Sequence, residues 1–174
     1  PTRRSSDLVG RAAGLSEGLL QDLGLSALLH DVGYADPGLP PQARLAGHPM
    51  AGFRLLTTPL GFHEAKVRRA LASLDHHKDF KDPRGAPSLF GRIIRLAEDY
   101  DTICRPRGGN VPPPWALAAL MPFAGSRYDP VLLQLLINAL GYYPPGTFLM
   151  LADGRMARSI SVARSPETWA APRA

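Results

Sequence analysis

The stretch Leu25-Ser26-Ala27-Leu28-Leu29-His30-Asp31-Val32-Gly33 governs the reading of the whole chain. It is an apolar run that ends by setting a histidine beside an aspartate, just before a glycine. Leu19, Leu20, Leu23, Ala27 and Leu28 recur at helical spacing, which predicts one helix with these residues on its buried face. Adjacent helical positions point about 100° apart, so His30 and Asp31 do not stack on each other, yet both reach one cation beside the helix end. Two readings follow. In one, the imidazole and the carboxylate share a metal ion; in the other, His30 meets the last carbonyls of the helix, Asp31 caps the next loop and Gly33 takes a left-handed stop.

The remaining histidines are His48, His63, His76 and His77, which makes five in all. His48-Pro49-Met50-Ala51-Gly52 reads as a helix start, with Pro49 in the first turn, an apolar face of Met50, Phe53 and Leu56, and a break at Thr57-Thr58-Pro59. The positive helix end keeps an imidazole there neutral, which suits a metal ligand or an exposed cap. Val67, Ala70, Leu71 and Leu74 form a stripe that carries His76 and His77 to the end of the next helix, which His63 begins. Phe90, Ile93, Ile94 and Ala97 give the buried face of a further helix, followed by Glu98-Asp99-Tyr100-Asp101. Glu98 and Asp101 lie three apart on one side, as metal ligands or as a solvated acidic face.

In order and spacing these segments resemble the HD superfamily of metal-dependent phosphohydrolases, and within it the HD-GYP branch. That branch shows H-D-x-G-K, H-P-x-x-G, H-H-E, A-D-x-Y-D-A and R-P-Y; this chain has His30-Asp31-Val32-Gly33, His48-Pro49-Met50-Ala51-Gly52, His76-His77-Lys78, Ala97-Glu98-Asp99-Tyr100-Asp101 and Arg105-Pro106. The likeness runs from about Leu15 to Val162. It implies an all-α helical bundle, here with a small C-terminal β-hairpin. It also implies that His30, Asp31 and Glu98 bind one divalent ion and His48, His76 and His77 another, with Asp31 bridging. Iron or manganese suits such ligands, and zinc is an alternative. Two such ions sharing a water cleave a phosphodiester without a protein nucleophile, so Asp31 and His30 are the expected catalytic residues and Lys78 and Arg105 the expected substrate contacts.

The chain departs from the pattern at Tyr34, where the branch has a phosphate-facing Lys, and at Lys78, where it has an acid. Glu98 stands in place of a metal-binding Asp, and the GYP tripeptide is absent. The implied function is a phosphodiesterase acting on a cyclic dinucleotide such as cyclic di-GMP, or on another phosphorylated small molecule. The alternatives are a degenerate signalling module that binds ligand or partner protein without turnover, and a purely structural helical domain.

With 174 residues, 45% hydrophobic and 20% charged, the chain suffices for one domain with its own core. One cysteine, Cys104, excludes an internal disulfide and suits a cytoplasmic location. No apolar run reaches membrane-spanning length. The net charge of +5 favours anionic ligands, but the arginines are scattered, so neither a nucleic-acid polymer nor a membrane is expected as a partner. Pro1-Thr2-Arg3-Arg4-Ser5-Ser6-Asp7 matches a translated sequencing adapter and is read as a non-native leader before a domain of residues 8–164. The resemblance then implies a further metal-binding helix ahead of this point, an N-terminal receiver or sensor domain, and a homodimer. Asp129-Pro130 starts a helix that Gly141 closes, and Phe148–Leu151 and Ile160–Val162 flank an Asp153-Gly154 hairpin turn. The Pro- and Ala-rich residues 165–174 are expected to be a disordered tail.

Overall fold

A computed structural model describes residues 2–58, 61, 63–106, 109–141 and 143–161. Seven α-helices are present among them: α1 (Thr2–Ala12), α2 (Glu17–Leu29), α3 (Arg44–Thr57), α4 (Glu64–Asp75), α5 (Leu89–Cys104), α6 (Pro113–Leu120) and α7 (Pro130–Leu140). They are followed by an antiparallel pair, β1 (Phe148–Met150) and β2 (Met156–Arg158). The expected helical bundle with a terminal hairpin is the fold observed. The tail expected over residues 165–174 lies outside the described residues. Among them, no helix is long and apolar enough to cross a membrane.

Helix α5 is the axle of the bundle. Phe90, Ile93, Ile94, Leu96, Ala97 and Tyr100 are all buried, an apolar surface that wraps most of the helix and needs partners on several sides. Those partners are α1, α2, α4, α6 and α7. The Ser88 side chain starts the helix by accepting from the Gly91 N–H at 3.2 Å. Helix α7 is bounded as its sequence predicts: the Asp129 carboxylate accepts from Val131 N–H, and Gly141 ends it at φ 70°.

Two local expectations change. On α2, Leu20, Leu23 and Ala27 are buried, but Leu28 is 58% exposed because it lies roughly 120° around the helix from them. Residues 2–7 form the first turns of α1. Ser6 and Val9 are fully buried there, and the Ser5 hydroxyl donates to Asp101 at 2.9 Å. The second hairpin strand comes earlier than residues 160–162: the turn closes between Leu151 and Arg155, so Met156 is already opposite Met150.

The other half of the bundle is a packed set of α2, α3 and α4. Where α3 and α4 meet, many of the buried residues are small, including Ala51 and Gly52 on α3 and Ala70, Ala72 and Ser73 on α4. Met50, expected on the buried face of α3, is exposed instead. Small residues let the helix backbones approach closely, and these helices carry His48 within α3 and His30 and His76 at the ends of α2 and α4.

Candidate metal centre

His30 is the C-cap of α2 and His76 the C-cap of α4. Each ring turns back onto its own helix, where His30 Nδ1–H donates to Ala27 O at 2.9 Å and His76 Nδ1–H to Ser73 O at 2.7 Å. A carbonyl only accepts, so Nδ1 carries the hydrogen and Nε2 faces outward. Each ring thus works in two directions at the helix end. It supplies a donor to the last orphan carbonyls on one side and presents a ligand nitrogen on the other.

His48 reaches the same state by another route. Helix α3 begins at Arg44, so His48 lies in its interior rather than at its start, and Pro49 is inside the helix. Proline has no N–H, which leaves the Leu45 carbonyl four residues back without a helical donor. His48 Nδ1 fills that gap at 3.0 Å, with Arg44 O at 3.1 Å. The tautomer is therefore fixed by main-chain carbonyls and not by the helix N-terminus that the sequence suggested.

The outward nitrogens converge. His48 Nε2 lies 3.2 Å from His76 Nε2 and 3.2 Å from His77 Nε2. Asp31 Oδ1 is 3.3 Å from His48 Nε2 and 3.5 Å from His76 Nε2, while Oδ2 is 3.2 Å from His30 Nε2. His48 and His76 are fully buried. Buried lone pairs facing each other at this separation repel, and only a cation, as proton or metal, relieves them. Two overlapping donor sets result, Asp31 with His48, His76 and His77, and His30 with His76 and Glu98. Within each set all donor atoms lie within 4.8 Å of one another.

Close backbone crossings hold these parts together. A Cβ on Gly33 would sit 1.9 Å from His48 O and 2.6 Å from Gly52 N, so Gly33 is required by contact with α3. It is not among the left-handed glycines, which corrects its expected role as a helix stop. A Cβ on Gly52 would meet Ser73 Oγ at 2.2 Å, and that hydroxyl donates to His30 O at 2.8 Å.

Charge follows from this geometry. Hydrogen bonds from His30 and His76, with their charge, hold the Asp31 carboxyl well below the usual range against an opposing effect of burial. Burial pulls His30 down, but Asp31 outweighs it and the imidazole is raised. Although His77 is exposed as a residue, desolvation where its ring packs on His76 and His48, with the charge of His76, His48 and Arg95, lowers it to about 4. Glu98 is raised, first by burial; His30 and His76 oppose that shift, and Asp31 and Asp99 add to it. Its Oε2 is buried without a hydrogen-bond partner.

The other candidates are placed elsewhere. Lys78 Nζ lies 2.7 Å from Asp75 Oδ1, a buried carboxylate whose Oδ2 accepts from Ser88 N–H. Arg105 is exposed beyond the end of α5. Neither pairs with the His/Asp cluster among the described contacts. Asp99 is engaged by Arg95 at 3.0 Å, Arg127 at 3.2 Å and the Tyr128 hydroxyl at 2.8 Å. His63 is the exposed N-cap of α4. One residue that sequence reasoning passed over supports the site. Arg95, only 8% exposed, donates to His77 O at 2.7 Å; an arginine set among the apolar positions of α5 was the signal for it. Tyr34 stacks on His48 with centroids 4.1 Å apart and an interplanar angle of 15°.

A helical bundle that gathers four histidines and two carboxylates in this way is a scaffold able to hold a metal ion. The chain is similar to a cyclic di-GMP phosphodiesterase of Pseudomonas aeruginosa, 28% identical over 171 aligned positions that take in 85% of this chain. The chain spans 40% of the length of that relative. No family model matches it.

Proposed function

We propose that the chain is the catalytic part of a metal-dependent phosphodiesterase of HD type, close to the HD-GYP branch, with a cyclic dinucleotide such as cyclic di-GMP as substrate. The observation that carries this reading is the convergence of bare Nε2 atoms on Asp31, with His48 and His76 at 3.2 Å. The printed name of the Pseudomonas relative supplies the substrate class.

The residues present fit divalent ions. Asp31 offers Oδ1 toward His48 and His76 and Oδ2 toward His30, which is how a bridging carboxylate is shared between two neighbouring sites. Glu98, with its unpartnered Oε2, completes the His30 and His76 side. When bound, such ions lower the pKa of a shared water and stabilise charge on the attacking and leaving oxygens. The protein's own part is preorganisation. Three imidazoles are pinned by main-chain carbonyls and so are already oriented before any ion arrives. Asp31, held well below the ordinary carboxylate range, stays ionised wherever the protein is folded near neutral pH. Burial of His48 and His76 keeps bulk water from the nitrogens.

One observation favours turnover-free ligand binding as a second reading: Tyr34, uncharged, lies against the cluster where the HD-GYP branch has a phosphate-facing lysine. Elemental analysis of purified protein, beside Asp31→Asn, separates the readings. About two equivalents of manganese or iron, lost in the variant, with hydrolysis of cyclic di-GMP, is the expected result. Metal without hydrolysis, or no metal at all, overturns the catalytic reading and leaves the degenerate module as the better account.

A further inference from the structure

Among the described residues, Tyr34 is the one ring outside the histidines that stacks on the cluster. It sits in the 3-10 turn Val32–Ala35, where its N–H donates to Asp31 O at 3.0 Å. The preceding Gly33 is wedged against His48 O and Gly52 N, so the turn has no room to shift toward α3. The phenol ring lies nearly parallel to His48, whose own orientation is set by two carbonyls. One face is thereby covered by a fully buried ring, while Tyr34 as a whole is 39% exposed. Its hydroxyl has no hydrogen-bond partner among the described contacts and carries no charge. An aromatic ring seated on a fixed neighbour by one face and still 39% exposed offers surface to a second planar group.

We infer that the open face of Tyr34 is a stacking platform for a nucleobase whose phosphate is held at the neighbouring His/Asp cluster. This deepens the proposed function and rests on it. A base stacked there, one ring separation beyond Tyr34, lies about 8 Å from the His48 centroid. Stacking is tolerant of base identity because every base has a π-face. Tyr34 therefore selects nucleotides over base-free phosphates without reading one base against another by edge contacts.

Two ligands that differ only in the base test this without any turnover. Manganese is titrated into the full chain, and binding of guanosine 5′-monophosphate and ribose 5-phosphate is then measured by calorimetry for wild type, Tyr34→Phe and Tyr34→Leu. The nucleotide is expected to bind wild type and Tyr34→Phe more tightly than the sugar phosphate, and Tyr34→Leu to lose about tenfold for the nucleotide alone. Manganese stoichiometry is expected to be the same in all three. Equal binding of the two ligands to wild type overturns the platform, as does equal weakening of both in Tyr34→Leu. Loss of manganese from Tyr34→Leu also overturns it and makes Tyr34 a support for His48. A wild-type chain that takes up no manganese sinks the proposed function, and this inference with it.

Discussion

The two overlapping donor sets differ in what holds them. On the Asp31, His48, His76 and His77 side, His48 and His76 are anchored behind by main-chain carbonyls, and His77 is tethered through its own carbonyl to Arg95. On the His30, His76 and Glu98 side, both imidazoles are anchored in the same way, but the far oxygen of Glu98 is buried with no partner. The first set is paid for in advance by the fold. The second leaves part of its cost open, and burial raises Glu98 accordingly. A preorganised set binds more tightly because less ordering is left to do on binding. The difference teaches that the two sides should fill in order, the histidine side first.

The change expected to have the largest effect strikes the member that both sides share. Asp31→Ala should empty both sets, because its two oxygens face the two sides while each imidazole has one lone pair to give, with loss of metal affinity well beyond the roughly 10–100-fold that a change behind the ligands costs. Elemental analysis after gel filtration checks it, and retention of one full equivalent would break the claim that Asp31 is shared by both sides. Glu98→Gln is next. It keeps the shape and removes the charge, so one ion of about two should be lost while the histidine side stays filled. Sequential filling of the wild type by cobalt, followed by absorption spectroscopy, should then show only the first phase in the variant. If both phases vanish together, the two sides are one site.

Much of this contrast was legible before the fold. The six donor residues were singled out by spacing and by resemblance, and the structure brings their ligand atoms together in two sets. The buried face of α5 and the Asp129 and Gly141 boundaries of α7 were also readable, because periodicity and caps are local signals. What was not legible depends on neighbours distant in sequence. Gly33 is a glycine because α3 crosses it, and Arg95 matters because His77 lies over it; neither partner is visible from the residue itself. His48 was misplaced at a helix start because proline so often marks one. Here the helix runs on through the proline, and the histidine supplies the missing donor.

That substitution of donors gives a smaller, two-signed prediction. Pro49→Ala restores an N–H that competes for the Leu45 carbonyl, so the helix interior should become more stable while the His48 ring loses part of its anchor. Metal affinity is expected to fall by roughly tenfold, within the range for changes behind a ligand, as the thermal midpoint of the metal-free chain rises. A variant that gains stability and keeps full affinity would show that Arg44 O alone fixes the ring.

The smallest effect is a pH dependence belonging to the histidine side. His77 is lowered to about 4 in the folded chain, first by desolvation of its ring and then by His76, His48 and Arg95, against 6.5 for an ordinary imidazole. Between these values the unfolded chain binds a proton that the folded chain refuses, so stability should rise with pH across that window. Asp31 acts below it, because its depressed carboxyl contributes stability that is lost only as pH falls under the ordinary carboxylate range. The raised His30 acts above it, with stability lost as pH climbs through its folded value. Glu98 and Asp101, both raised by burial, pull the other way inside the window, since the folded chain then holds protons that the unfolded chain has released. The total slope is therefore a mixture, and the informative quantity is the difference between wild type and His77→Gln. Denaturant unfolding of the chelator-treated chain at pH 4.5 and pH 6.5 should show wild type gaining more on the rise than the variant does. Equal gains would mean that the His77 ring is no more crowded than a solvated one, and that the histidine side is looser than its 3.2 Å separations imply.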